Sequence, residues 1–276
     1  MIISGFENKI ILVRGAGDMA TGTAWVLHKA GFPVIMLEVP DPSAIRRRVA
    51  FSEAIFDSSF TLEGVSCLLA KTPEEAKHFA FSGQLSVLID PELKSLEAIR
   101  PAILVDAILA KKNLGTKKDM ADFVIALGPG FTAGKDVHCV VETMRGHNLG
   151  RLIYEGPAMA NTGVPGLIAG IGKERVIHAP AEGRLVLKHD IGDIVEKDAV
   201  LAVIESQDGP VPVKATISGV LRGIIRNGFM VSKGLKIADI DPRLAEQKNC
   251  YTISDKSRAI GGSVLTAVMA YLSGRQ

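Results

Sequence analysis

The residues from Glu142 to Arg151, Glu142-Thr143-Met144-Arg145-Gly146-His147-Asn148-Leu149-Gly150-Arg151, gather acid, base and imidazole into one short loop. Such a loop can hold a small polar or anionic substrate, and Glu142, His147 and Arg151 are its candidate contacts. A second set of residues points to nucleotide chemistry. Arg14-Gly15-Ala16-Gly17-Asp18-Met19-Ala20-Thr21-Gly22 follows the apolar run Ile10–Val13 and opens a helical stretch to about Ala30. A second apolar run, Val34–Leu37, ends at Glu38. In this order Gly15 permits a tight turn, Gly17 lets backbone approach a ligand, and a small Ala20 lets helix and strand pack closely. Glu38 lies 23 positions after Gly15, close to the spacing of roughly 20 for an acid that accepts hydrogen bonds from a ribose. Asp18 stands where the helix N-terminus would meet a phosphate, and it could instead cap that helix.

Further candidates lie along the chain. Arg46 and Arg47 could grip a phosphate bidentately. Gly128-Pro129-Gly130-Phe131-Thr132-Ala133-Gly134 is a turn that invites close approach, so Gly128 and Gly130 join Gly15, Gly17, Asp18, Gly22, Glu38, Arg46 and Arg47 as the cofactor-binding set. Asp106, Lys111 and Asn161 join the substrate set, Asp106 by its place beyond a strand's carboxyl end. Asp136, His138 and His147 have poor metal-ligand spacing, and no metal is expected. No G-x-S-x-G, Walker A, H-E-x-x-H or C-x-x-C occurs, which removes support for ordinary hydrolase, kinase-like and thiol-redox activities. Cys139 sits in an apolar strand context and reads as structural; neither it nor Cys250 can be assigned to sulfur or selenium handling from sequence.

The elements that must position these residues read as alternating strands and helices. Val65–Ala70, Leu85–Ile89 and Ala102–Val105 are apolar runs, interleaved with helix-like Pro73–Ala80 and Leu93–Ile99. That alternation predicts a Rossmann-like parallel α/β domain over residues 1–172. After it, residues 179–204 and 215–240 align at a constant offset of 36 with eight identities in 26 positions, against about one or two from average usage. Ala179, Gly183, Leu185, Gly192, Val195, Lys197, Ala202 and Ile204 recur as Ala215, Gly219, Leu221, Gly228, Val231, Lys233, Ala238 and Ile240. One structural unit written twice predicts a small duplicated β-barrel over 173–243. Residues 244–276 should supply a C-terminal helix, about Asp255 to Leu272, that packs back on the first domain, with Ser254 as its cap. Gly261-Gly262 inside that helix implies close approach of a neighbour.

Composition bounds the rest. A net charge of +2 with 22% charged residues gives no field for nucleic acid or an acidic membrane. Three scattered cysteines fit a reducing cytoplasm. The start, Met1 to Lys9, reads as no signal peptide, and Gly156–Gly172 is too rich in glycine and proline for a membrane helix, so a soluble cytoplasmic protein is expected.

Two resemblances add to this reading. The repeat resembles biotinyl/lipoyl-like barrels in Ala179-Pro180-Ala181-Glu182-Gly183 and Gly192-Asp193-Ile194-Val195. The hairpin Glu205-Ser206-Gln207-Asp208-Gly209-Pro210 lacks the lysine those carriers modify. Over nearly its whole length the chain resembles the YqeB family, accessory proteins of selenium-dependent molybdenum hydroxylases. The matching stretches are Arg14–Gly22, Glu38–Glu53, Val105–Lys111, Gly128–Gly134, Glu142–Arg151, Asn161–Gly166 and Arg258–Gly262. The resemblance implies a maturation factor for xanthine dehydrogenase-related enzymes, with the hydroxylase as client protein and an anionic ligand that is NAD(P), nucleotide-like or a molybdopterin. It implies no catalytic residue. An NAD(P)-dependent oxidoreductase and a non-catalytic docking scaffold stay open, as does a homo-oligomer.

Overall fold

The computed structural model describes residues 8–163 and 166–275. Expectations that fall on the first seven residues, on Val164 and Pro165, or on Gln276 lie outside the described residues. The chain divides into two compact units. The first comprises residues up to Pro42, Ala50–Thr162 and everything from Ile253 on; the second comprises Ser43–Val49 and Gly163–Thr252. The expected boundary at 172 therefore lies at 162, and residues 244–252 go with the second unit, as 3-10 turns over Leu244–Tyr251.

In the first unit, the apolar runs become β1 (Ile11–Arg14), β2 (Val34–Glu38), β3 (Ser59–Leu62), β4 (Val65–Ala70), β5 (Leu85–Ile89), β6 (Ile103–Asp106) and β7 (Phe123–Leu127). After them come β8 (Thr132–Ala133), β9 (Cys139–Val141), β10 (Leu152–Ile153) and β11 (Gly156–Pro157). Among the described residues the main sheet has nine strands in the order β10-β9-β7-β6-β1-β2-β5-β4-β3. Only its edge strands β3 and β10 run antiparallel to their neighbours. β1, β6 and β7 are buried along their whole length, as strands covered on both faces must be. Strand order reverses around β1, which lies between β2 and β6. The carboxyl ends of these three strands therefore bound the crevice where such sheets hold ligands.

The helices of this unit are α1 (Asp18–Lys29), α2 (Ala54–Asp57), α3 (Pro73–Phe81), α4 (Leu96–Ile99) and α5 (Asp255–Leu272). α5 is capped by Ser254, whose hydroxyl accepts from Ser257 N at 3.2 Å. It packs on α1, and the small residues explain how closely. A methyl group on Gly261 would lie less than 3 Å from Gly22 O, and one on Gly22 would strike the Ser257 hydroxyl. Farther along, Tyr271 stacks on Phe123 of β7 with ring centroids 4.7 Å apart. Among the described residues no helix is long and apolar enough to cross a membrane.

The second unit holds β12 (Val176–His178), β13 (Gly183–Leu187), β14 (Ile194–Val195), β15 (Val200–Ser206), β16 (Gly209–Lys214), β17 (Gly219–Ile224), β18 (Met230–Val231) and β19 (Lys236–Asp241). Among the described residues these form two four-stranded antiparallel sheets, β12-β19-β17-β14 and β16-β15-β13-β18. The 36-residue offset carries the strand pairings onto their mates until a bulge after Leu221 shifts the register by one residue. Leu185 pairs with Ile204 as Leu221 pairs with Ile240. Gly183 pairs with Val231 as Gly219 pairs with Val195, so each sheet takes its edge strand from the other copy. Leu185, Val195, Ala202 and Ile204 are buried in one core with Leu221, Val231, Ala238 and Ile240. An ion pair between buried Arg175 and Asp239 crosses from the 3-10 turn before β12 to β19.

Candidate functional site

The glycine turn after β1 is closed by its own chain. Gly15, at φ +104, donates its N–H to Leu37 O at 2.7 Å, and its Cα faces the Ala107 backbone. Ala16 N donates to Glu38 Oε2 at 2.7 Å, and Val39 N donates to Glu38 Oε1 at 2.8 Å. Glu38 thus stands at the end of β2, but its carboxylate is turned onto the glycine turn rather than held out for a ribose. Burial pushes its pKa up, against the two N–H bonds that pull it down. The Ala16 carbonyl accepts from Ser52 N at 3.0 Å and from Thr21 Oγ1 at 3.1 Å, so the Phe51–Glu53 segment braces the turn. Gly17 is different: it precedes α1 with open space around its Cα, and no side chain caps the helix. Asp18 lies in the first turn and not at the cap, and its carbonyl accepts from Ser257 Oγ at 2.9 Å.

Several expected ligand contacts are used inside the fold. Gly22 serves the contact between α1 and α5. Asp106 is buried, accepting from Thr116 Oγ1 at 2.6 Å and Ile108 N at 3.2 Å and pairing with buried Arg14 at 3.4 Å. A buried carboxylate needs such partners, which leaves Asp106 none to offer a substrate. The backbone that Gly130 accommodates is that of Lys111 and Lys112, and Gly128 accommodates Thr143 and Leu109. Lys111 itself is exposed. Arg46 and Arg47 belong to the second unit. Arg46 donates to Asn249 O at 3.1 Å, while buried Arg47 donates to Ile224 O at 3.2 Å and pairs with Asp190, as does Arg48 at 2.8 Å. These guanidiniums hold the second unit's own loops.

The 142–151 loop gives the best-formed site. Glu142, 2% exposed at the end of β9, accepts from Met144 N and Met159 N, each at 2.8 Å. Its backbone bonds to Gly150 N and Arg151 O, at 2.8 and 2.9 Å. The carboxylate therefore ties the start of the loop to the segment after β11, while the backbone bonds join the loop's two ends. Beside it lies a cavity of about 400 Å³ lined by Glu142, Asn148, Arg151, Tyr154, Pro157 and Met159. Arg151 is exposed, and among the described residues its guanidinium makes no ion pair. His147 and Asn161 are exposed and stand outside this lining.

Lys256 is the residue that the motif reading passed over. It lies in the first turn of α5, half-buried. Burial and Arg145 hold its ammonium below the usual lysine range, against Asp18, Glu142 and Asp255. A signal was present in the sequence: a cation two places after an N-cap serine runs against the helix dipole. Arg145 is gripped bidentately by Asp255 at 2.8 and 3.1 Å. The thiols offer little. Burial pushes Cys139 up to about 11, and raises Cys67 and Cys250 as well, the opposite of an activated nucleophile. Among the described residues no three metal-ligating side chains come together. His138 Nδ1 accepts from Val124 N at 2.9 Å, and Asp136 accepts from Thr132 N at 2.8 Å.

No family model matches the chain. Among solved structures, the product-bound ectoine utilization protein EutE (DoeB) of Ruegeria pomeroyi is 13% identical with a TM-score of 0.28, covering 84% of this chain and 85% of its own. The succinylglutamatedesuccinylase/aspartoacylase of Rhodobacter sphaeroides is 15% identical at TM-score 0.28, covering 86% of each chain. Scores this low do not establish a common fold. The chain is 50% identical over 262 residues to YqeB of Escherichia coli (strain K12), a protein itself uncharacterized. It spans 48% of that relative's length, and identity at this level over 95% of the chain supports the YqeB family.

Proposed function

We propose that this chain is an accessory factor in the maturation of selenium-dependent molybdenum hydroxylases, holding a small anionic ligand, nucleotide-like or a molybdopterin, at the carboxyl edge of the first unit's sheet. The observation that carries the binding part is the cavity of about 400 Å³ between Glu142 and Met159, with Arg151 at its wall. A guanidinium that makes no ion pair among the described residues can take phosphate or carboxylate bidentately, and the volume suits a small ligand. The maturation part rests on the resemblance in Arg14–Gly22, Gly128–Gly134 and Glu142–Arg151 and on the identity to YqeB. The second unit's paired copies support a biotinyl/lipoyl-like barrel. Without a lysine in the Glu205–Pro210 hairpin, such a barrel would dock a client rather than carry a group. The oxidoreductase reading has less support, because Glu38 already takes the Ala16 N–H.

Native mass spectrometry of the chain, gently purified from cells that make molybdenum cofactor, tests the reading. A pterin or pterin dinucleotide mass is expected, and Arg151→Ala should weaken its binding about 10- to 100-fold, the loss of a charge-assisted contact. A nicotinamide dinucleotide mass would favour the oxidoreductase. A bare chain, or a ligand held equally by the variant, would overturn the assignment to this cavity.

A further inference from the structure

Just past the aligned positions of the repeat, the same offset links Glu205 to Asp241. Glu205 stands opposite Arg184 as Asp241 stands opposite Val220, and their carbonyls lie against the matched glycines Gly183 and Gly219. The backbones agree, but the two acids are treated differently. Asp241 is 3% exposed and is gripped by Arg243, two residues on, which donates from Nε to Oδ1 at 2.9 Å and from Nη2 to Oδ2 at 2.8 Å. A two-pronged guanidinium bond of this kind is among the strongest a carboxylate makes. The mate of Arg243 is Gln207, which carries no charge. Glu205 is exposed, and among the described residues it makes no ion pair. Arg184 holds its guanidinium by Gly228 instead. Where the second copy has its arginine, the first has a groove of about 540 Å³, lined by Glu182, Glu205, Asp208, Met230 and Lys233 among others. Three carboxylates against one ammonium make this lining negative, and Met230 is 63% exposed within it. An arginine suits both parts, since its stem packs on apolar surface while its planar fork meets a carboxylate.

We propose that this groove docks an extended segment of a partner protein through an arginine, whose guanidinium takes on Glu205 the place that Arg243 takes on Asp241. The second copy supplies the pattern of the occupant. Its guanidinium comes from a run of polypeptide, Pro242-Arg243-Leu244, in which an apolar residue follows the arginine. The same pattern in a partner would bring charge to Glu205 and apolar surface to Met230, and arginine and methionine are both enriched where proteins meet. The inference deepens the docking role proposed for the second unit and rests on that reading for the occupant being a protein. It does not rest on the identity of the small ligand.

The test uses the whole chain with carbon-13 in its methionine methyl groups, the Met230 signal being assigned by its loss in Met230→Leu. The probe is the peptide acetyl-Pro-Arg-Leu-Ala-amide, titrated at low salt. The Met230 signal should move and saturate, and a peptide with citrulline, the uncharged isostere of arginine, should bind at least about tenfold more weakly through loss of a charge-assisted contact. Glu205→Gln should weaken the arginine peptide by a similar factor. Gln207→Arg should do the same, by setting a guanidinium on Glu205 from within the chain, and because both positions are exposed the variants should unfold at the wild-type temperature. Equal affinity for the two peptides, or undiminished binding by Glu205→Gln, would overturn the inference. So would N-acetylarginine amide binding as tightly as the peptide, which would make the groove a small-molecule site, or a Met230 signal that moves with protein concentration alone, which would give it to a second copy. None of these failures touches the cavity at Arg151, so a pterin mass held there would leave the ligand reading standing.

Discussion

The two units spend their glycines differently. In the second unit Gly183 and Gly219 stand 36 residues apart, at φ +148 and +157, and face matching neighbours. A methyl group on Gly183 would strike Glu205 O and Ile204 Cγ2; on Gly219 it would strike Asp241 O and Ile240 Cγ2. Each neighbour is its counterpart's mate at the same offset. In the first unit the glycines of the motif turns and of α1 meet different neighbours. Gly22 admits Ser257, Gly130 admits the Lys112 backbone, Gly15 faces Ala107, and Gly17 faces open space. A repeated glycine therefore reports a repeated backbone geometry. A glycine-rich turn reports only that something comes close, and here that is most often another stretch of the same chain.

The sharpest way to break this comparison is to add one methyl group in each copy of the repeat. Gly183→Ala and Gly219→Ala combine a strained positive φ with a contact against backbone carbonyl oxygen, which cannot swing aside as a side chain can. Each should destabilise the second unit by about 2–4 kcal/mol, and thermal or urea unfolding should give similar losses for the two. If one were tolerated and the other not, the copies would not be equivalent, and the register match would be coincidental.

A smaller effect separates the glycines of the first unit from one another. Gly22→Ala should gain about 1 kcal/mol of helix propensity. It should lose about 2–3 kcal/mol by crowding Ser257, whose Cβ and carbonyl lie at 3.0 and 3.1 Å from the added methyl. The net is a loss of about 1–2 kcal/mol. Gly17→Ala meets nothing within 4 Å and keeps an ordinary φ of −72, so stability should change by less than about 0.5 kcal/mol. Equal effects at the two sites would mean that Gly22 is not a packing glycine.

Much of the framework was legible because it depends on local pattern. Apolar runs bounded by turn residues located β4 and β5, and Ser254 marked the start of α5. The offset of 36 was legible because pairing two copies requires the same residue types at the same places. Other features depend on which distant residues meet, which spacing does not encode. Arg46 and Arg47 follow β2 closely in sequence, yet the Ser43–Val49 segment belongs to the second unit, where Asp190, Ile224 and Asn249 take up those guanidiniums. Asp106 stands beyond a strand's carboxyl end, as a ligand contact would, but Arg14 and Thr116 reach it first. Glu142 and Arg151 were legible as chemistry-bearing residues, and the fold brings them to one cavity. The contact of Ser257 with Asp18, far apart in sequence, likewise exists only because α5 packs on α1.

A change in pH slope, with little net change at neutral pH, tests whether the first unit's glycine turn is closed by its own acid. Burial raises the pKa of Glu38, and the Ala16 and Val39 N–H groups offset only part of that rise. An acid raised on folding binds its proton more tightly in the folded state than in the unfolded one. Its favourable contribution is therefore complete below the unfolded carboxylate range, near pH 4.3 or so, and is lost as pH rises through the higher folded value. Glu38→Gln removes that slope. It also costs one N–H bond, because an amide nitrogen cannot accept, so at neutral pH relief and loss should nearly cancel and stability should shift by less than about 1 kcal/mol. Unfolding free energies measured from pH 4 to pH 8 should give a flatter profile for the variant than for the wild type. An unchanged slope would mean that Glu38 is not desolvated against the turn, and the Ala16 N–H would then be free for an anion after all.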